Sequence, residues 1–508
     1  MEAILAVDLG TTALKCALHD AGGNILAKAT EEYTLITPDP LSVEMDVDTY
    51  WTAFKIAIGR VLKESQAKPA HIRALGLSAQ GETLILVGEN GKPTRRAIVW
   101  LDNRAQQEAD DLAIKFGNRH VYEITGQVSL VPTWPASKIL WLRRHEPETL
   151  GSTTRVLLIE DYFLHRLTGE YVCEGSLVTS TCYWNFKSRQ WWPEMLAALD
   201  VRPEQLPDYR ESGEVVGKLR PEVATELGLS PETIACTGAL DQACGAIGVG
   251  NITPGIFSEN TGAALAICTT VNQATLDPNN QMPCHYHGLP GLYMLHTFTG
   301  GGIVLRWYRD EFAQMERSVA GASGMDAYDL LGMEAAKVSP GCEGLVMLPH
   351  LQGAMAPEAN PKATGVFYGF TLRHGRGHFV RAIMEAVSYI VRRNIEVIEE
   401  MGVTVNEIRS LGGGARSRVW KQMEADVTGR PVLTTTNEEA ATLGAAILAG
   451  KAVGMFKSVE EAAGQMVQIK DRFEPLAGNK AAYDEGYRTY VDLYDALRPL
   501  FDQGKPVS

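Results

Sequence analysis

No stretch of this 508-residue chain approaches the roughly 18 consecutive apolar residues of a membrane span. Its start, MEAILAVDLG, carries Glu2 and Asp8 where a secretory leader needs a basic start and a longer apolar stretch. Positive charge is in short supply: 47 Lys and Arg stand against 61 Asp and Glu, a formal net charge of −14, which argues against a nucleic-acid or anionic-membrane partner. The eight cysteines include no CxxC pair and several lie inside apolar runs, so they read as reduced thiols rather than a disulfide framework. A cytoplasmic location is expected. Low-complexity tracts are missing too, and only 319–325 (VAGASGM) reads as a flexible loop. Two familiar nucleotide signatures are absent: there is no GxxxxGK[ST], and GAIGVG has the wrong glycine spacing for GxGxxG. Cys284, His285 and His287 (CHYHG) lack a fourth ligand at usable spacing, so no zinc site is expected.

What is present is an ordinary globular composition, 45% hydrophobic and 21% charged, with length for two large domains or three smaller ones. Residues 3–7 (AILAV) predict a buried strand, 21–24 a hairpin turn and 25–37 a returning strand. Trp51, Phe54, Ile58 and Val61 recur at helical spacing after a cap at Asp48. Further strands are expected at 73–79, 97–101, 155–159 and 233–238. The second half repeats this grammar: SENTGAALAICT reads as a strand-turn-strand hairpin, a long amphipathic helix covers about 378–401, strand 407–411 leads into a glycine turn, and helices follow near 417–429 and 438–450. Gly, Asn and Pro cluster in GNITPG, which puts the boundary between domains 1–250 and 251–508.

Three glycine-containing turns carry candidate chemistry. In Asp8-Leu9-Gly10-Thr11-Thr12, ahead of Lys15, a tight turn lets backbone N–H groups and two hydroxyls face phosphate oxygens while Asp8 holds a hydrated magnesium ion; the same residues also suit a plain hairpin turn closed by threonines. Thr261 and Gly262 lie in an equivalent turn at the start of the second half, and two such loops facing each other would clamp a polyphosphate. Gly413, Gly414, Ala415 and Ser417 follow a strand and precede a helix, where small residues let a nucleotide approach the backbone. Asp241 is the one charge in TGALDQACGAIGVG and is either a helix cap or a catalytic carboxylate.

These residues, with PASKILW at 135–141, EDYFLHRLTGE at 160–170, the long block at 365–387, LGGGARSRVWKQMEADVTGRPV and EEAATLGAAILAG, resemble the FGGY family of carbohydrate kinases over about residues 3–452. The last two blocks look most like xylulokinases. The resemblance implies an α/β fold of two ribonuclease-H-like (actin/hexokinase/Hsp70-like ATPase) domains, with ATP and Mg²⁺ bound in the cleft between them. It makes Asp241 the base that accepts a sugar hydroxyl proton, Asp8 the metal residue, and Gly10, Thr11, Thr12, Lys15, Thr261, Gly262, Gly302, Gly413, Gly414, Ala415 and Ser417 the nucleotide site. For the sugar the candidates are Gln80, Gly81, Glu82, Trp100, Asp102, Arg104, Trp134 and Gln242; the competing readings are a surface-loop acid for Glu82, a structural ion pair for Asp102 with Arg104 and a core position for Trp134. At 77–83, LSAQGET replaces the Gln-Met-His-Gly usual in xylulokinases and keeps only the Glu-Thr of glycerol kinases. The expected activity is ATP-dependent phosphorylation of a ketopentose such as xylulose on a terminal hydroxyl. Glycerol, a tetritol or a gluconate-like acid are alternatives, as is a non-kinase ATPase of the same superfamily. A homodimer is expected.

Overall fold

The computed structural model describes residues 2–505. The first half opens with β1 (Ala3–Leu9), β2 (Ala13–Asp20) and β3 (Ile25–Glu32), an antiparallel meander. The β2–β3 turn is held by Asp20, whose Oδ1 accepts from the backbone N–H groups of Gly22 (2.8 Å) and Asn24 (2.9 Å). Helix α1 (Val47–Ser65) buries Tyr50, Trp51, Phe54, Ala57, Ile58 and Val61 against β2 and β3. Asp48, expected as its cap, lies inside the first turn; the capping position is Asp46, whose side chain makes no cap bond. Its carboxylate still opposes the positive end of the helix dipole there.

Strand β4 (Ile72–Ala79) runs parallel to β1, and β5 (Val215–Lys218) and β6 (Ile234–Cys236) complete the sheet in the order β5-β6-β4-β1-β2-β3. The short β7 (Ala239–Leu240) pairs with the end of β4. A four-stranded sheet of Glu44–Met45, Ala97–Ile98, Leu84–Val87 and Arg155–Leu158 stands beside it with its own core, which takes in helix α2 (Pro135–His145). The strand expected over 97–101 stops at Ile98 because Asp102 and its partners turn the chain there.

Helices α3 (Ile159–Thr168), α4 (Gly175–Val178) and α5 (Asp241–Gly248) finish the first half. The second half rebuilds the same sheet from β8 (Ile256–Thr261), β9 (Ala264–Val271), β10 (Cys284–Tyr286), β11 (Tyr293–Gly300), β12 (Glu407–Leu411), β13 (Val432–Thr435) and β14 (Ile469–Phe473). Along β11-β9-β8-β12-β13-β14 the pairings run antiparallel, antiparallel, parallel, parallel, antiparallel, the sequence also found along β3-β2-β1-β4-β6-β5. The two polar turns therefore occupy equivalent places, one between β1 and β2, the other between β8 and β9. Helices α6 (Gly302–Phe312), α7 (Arg376–Glu400) and α8 (Arg418–Thr428) flank this sheet. Residues 319–323, expected as loop, end a helix over Gln314–Ser323 that Gly324 closes in the left-handed conformation; the small residues there leave few apolar contacts but no helix breaker.

The hydrophobic cores do not divide where the chain does. Helix α9 (Ala440–Ala452), reading AATLGAAILAGKA, is apolar on every side, and with the following helix α10 (Val459–Met466) it belongs to the core of the first half. It lies on β1 and β4 and crosses α5. Glycines allow the close approach: a Cβ at Gly444 would stand 1.9 Å from the Cys244 carbonyl oxygen, and one at Gly248 1.9 Å from that of Ala440. All eight cysteines are free and buried, and no described helix is long and apolar enough to cross a membrane.

Candidate active site

The chemistry begins at the C-terminal ends of β1, β4 and β7. Asp8, half-buried on β1, accepts 2.8 Å from the Ser78 hydroxyl on the neighbouring β4. Burial lifts its carboxyl above the ordinary range, while Ser78 and Lys15, its cross-strand partner, pull the other way. Gly10 turns the chain, and its carbonyl is held by the Gln80 amide at 3.0 Å and by the Tyr33 hydroxyl. Thr11 Oγ1 accepts 2.7 Å from the Trp100 indole, which leaves the hydroxyl hydrogen free to donate to an anion. Thr12 is exposed, and Lys15 pairs at 3.3 Å with Glu439 at the head of α9.

Asp241 opens α5 rather than capping it: the capping residue is Leu240, and the Asp241 carboxylate takes the N–H of Gln242 at 2.8 Å. Burial pushes its carboxyl up to about 8, with the charges of Asp8 and Glu82 adding to the shift. Two carboxylates that repel each other, each with an oxygen that accepts no protein hydrogen bond among the described residues, are a donor set suited to a hydrated divalent cation.

Glu82 sits in a left-handed turn (φ 53°) between Gly81, packed under Leu240, and Thr83. Burial raises its carboxyl to about 7, against the Ser180 hydroxyl and the Lys138 ammonium. Lys138 on α2 is fully buried; its Nζ donates to the carbonyls of Glu82 (3.1 Å) and Val99 (3.0 Å), and burial pulls it below the ordinary lysine range. It thus ties the Glu82 turn to the segment bearing Trp100. Sequence reasoning quoted Lys138 only as part of a motif, although a lysine flanked by Ala136, Ile139 and Leu140 was the visible signal of a buried cation.

Several expected sugar contacts are engaged elsewhere. Gln80 is buried, its oxygen accepting from Thr83 at 3.0 Å while its nitrogen holds Gly10. Asp102 is fully buried and accepts from Val43 N (2.6 Å) and from the Arg104 guanidinium (2.8 to 3.0 Å). Arg104 also reaches Glu44 at 2.8 Å and covers the Trp141 ring, so this pair has the geometry of a structural bridge. The Trp134 indole donates to the Ser129 carbonyl at 2.8 Å and packs against the small-sheet core. Glu82, Trp100 and Gln242 keep partly exposed side chains beside Asp241 or Thr11.

In the second half the small residues converge on Thr261. A Cβ at Gly414 would stand 2.7 Å from the Thr261 side chain, one at Gly412 2.3 Å from the Asn260 amide oxygen, and one at Gly302 2.3 Å from the Gly262 carbonyl. Gly413 is exposed and Ala415 half-buried on the same turn, while Ser417 caps α8 by accepting from Trp420 N at 3.4 Å. The Thr261 hydroxyl donates to Glu259, so its one hydrogen is not offered to a phosphate. Glu259 in turn accepts from Ser410 and from buried Lys421 (2.6 Å), which also bonds Glu424. Burial opposes the charge of Lys421, and the two carboxylates more than offset it. This network beneath the turn was not anticipated from sequence.

Two contacts join the half-sites. Leu411, just before Gly412, packs 3.2 Å from where a Cβ of Gly245 on α5 would lie, and the Trp100 ring meets Phe298 of β11 edge-on at 6.1 Å. His285, His287 and Cys284 are buried, and no group of three His, Cys, Asp or Glu suited to a metal occurs among the described residues.

The chain is 31% identical over 500 residues to the gluconokinase of Bacillus subtilis (strain 168), covering 98% of this chain and 96% of that one. It is 31% identical over 499 residues to the xylulose kinase of Escherichia coli (strain K12), covering 98% and 99%. The ligand-bound xylulose kinase structure from Lactobacillus acidophilus superposes with a TM-score of 0.90 at 27% identity, covering 99% of this chain and 100% of that one. Residues 3–248 match the N-terminal domain of the FGGY family of carbohydrate kinases and residues 267–453 its C-terminal domain, and the chain belongs to that family.

Proposed function

We propose that this kinase transfers the γ-phosphoryl group of ATP to a terminal hydroxyl of a small neutral sugar, with a ketopentose such as xylulose as the leading substrate. The observation that carries the reading is the place of Asp241, at the head of the helix whose Gly245 packs on Leu411 beside the glycine turn at Gly412. Once ionised, a carboxylate with an upward-shifted pKa accepts a proton from an alcohol more readily than an ordinary one does. As the sugar oxygen bonds to phosphorus, its proton passes to Asp241 and the bond to the ADP oxygen breaks. Thr11, with its hydrogen free, and the N–H groups of the first turn hold phosphate oxygens; the glycines around Thr261 admit the nucleotide. Asp8 would hold Mg²⁺, which when bound supplies positive charge to the phosphates and relieves the repulsion between Asp8 and Asp241.

Glu82 accepts hydrogen bonds from sugar hydroxyls, as carboxylates do. Its charge disfavours an acidic sugar, and Arg104, the residue that could offset it, is committed to Asp102 and Glu44. An ADP-release screen over ketopentoses, aldopentoses, tetritols, glycerol and gluconate decides: one neutral sugar far above the rest supports the proposal, and gluconate on top overturns the substrate assignment.

A further inference from the structure

Behind the turn that delivers Asp241 lies a group of buried acids with no cation among the described residues bonded to them: Glu160 and Asp161 on α3, and Glu174 ahead of α4. Glu160 Oε1 accepts the N–H of Gly238 at 2.6 Å, and its Oε2 has no partner among the described residues. Glu174 accepts from Ser176 N, Ser176 Oγ and Leu177 N, each at 2.7 Å, and from the Ser212 hydroxyl. The Ser176 hydroxyl, its hydrogen fixed on Glu174, accepts the N–H of Leu240 at 2.8 Å. Gly238 lies so tightly on β4 that a Cβ would stand 1.6 Å from the Leu77 carbonyl oxygen. The next residue of β4, Ser78, is the one that holds Asp8.

We propose that Glu160 and Ser176 are positioning residues for phosphoryl transfer: they grip the N–H groups of Gly238 and Leu240 and so aim the Asp241 carboxylate. The inference rests on the reading of Asp241 as the base. Neither residue touches substrate. Both act on the three-residue lead into α5, where a misplacement of an ångström at the base slows reaction strongly. Burial and the nearby Glu174 raise the Glu160 carboxyl well above the ordinary range, and toward Gly238 its Oε1 acts only as an acceptor. A neutral amide of the same shape can do the same.

The test is steady-state kinetics and thermal melting of the full chain with MgATP and the better of xylulose and gluconate as acceptor. Glu160→Leu is expected to lower kcat about 10- to 100-fold at unchanged KM for ATP and sugar, and Glu160→Gln to return kcat to near the wild-type value. A folded Glu160→Leu variant with wild-type kcat, or a Gln variant no better than Leu, overturns the inference. Should Glu160→Leu not fold, Ser176→Ala decides in the same way: a fall in kcat at constant KM supports the bracket, and wild-type kcat overturns it. Asp241→Asn is the control. Turnover that survives in it refutes the base assignment itself, whereas an inactive Asp241→Asn beside a fully active Glu160→Leu refutes only the bracket.

Discussion

Asp241 carries its charge against its surroundings, and this fixes two expectations. Asp241→Asn abolishes turnover while ATP and sugar still bind, measured by ADP release and calorimetric titration. It also alters stability in a pH-dependent way. The folded carboxyl sits near 8 against an ordinary value of 3.8, so its contribution is full below about pH 4 and is lost as pH rises through 8. The Asn variant should therefore out-melt the wild type by a margin that grows from pH 5 to pH 8 and then levels, about 1 °C for each kcal/mol gained in a chain of this length. A constant margin would contradict the shift. Glu82→Ala should raise KM for the sugar far more than for ATP; equal effects remove Glu82 from the sugar site. At this scale the sequence revealed residue types but not what each had already bonded. Asp102, Gln80 and Thr261 read as ligand contacts because each is polar and sits in a motif, yet Val43 and Gly10, distant in sequence, and Arg104 and Glu259, two residues away, engage them.

At the scale of elements, the crossing of α5 and α9 depends on glycine. Gly444→Ala pushes a methyl group into the Cys244 carbonyl and should cost about 1–3 kcal/mol. Because α5 begins at Asp241, kcat should fall with stability, measured by melting and kinetics on the same sample. Unchanged values in both would mean the crossing is loose. Strands and hairpins here were legible in sequence: AILAV and SENTGAALAICT alternate or run apolar between turn residues, and the structure has β1, β8 and β9 there. The partner of α9 was not legible, because a helix apolar all round has no face that points to its neighbour. Strand 97–101 and loop 319–325 differ for local reasons, one cut short by Asp102, the other helical as far as Ser323 in spite of Gly321 and closed by Gly324.

At the scale of the molecule, the repeated sheet suggests two independent bodies, but the first borrows residues 443–466 from the second to cover its sheet. A fragment ending at residue 250 should give no cooperative melt, whereas adding the separate fragment 251–508 should restore one, measured by calorimetry of each alone and mixed. A sharp transition for the first fragment alone would show that α9 is dispensable. The borrowed helix also sets a timetable. On the ribosome the sheet of the first half emerges complete by residue 250, yet its cover arrives only with residue 466, about 10–40 s later at ordinary elongation rates. During that interval the apolar faces of β1 and β4 stand open beneath a growing chain, so the nascent protein is most exposed to chaperones and to aggregation late in synthesis.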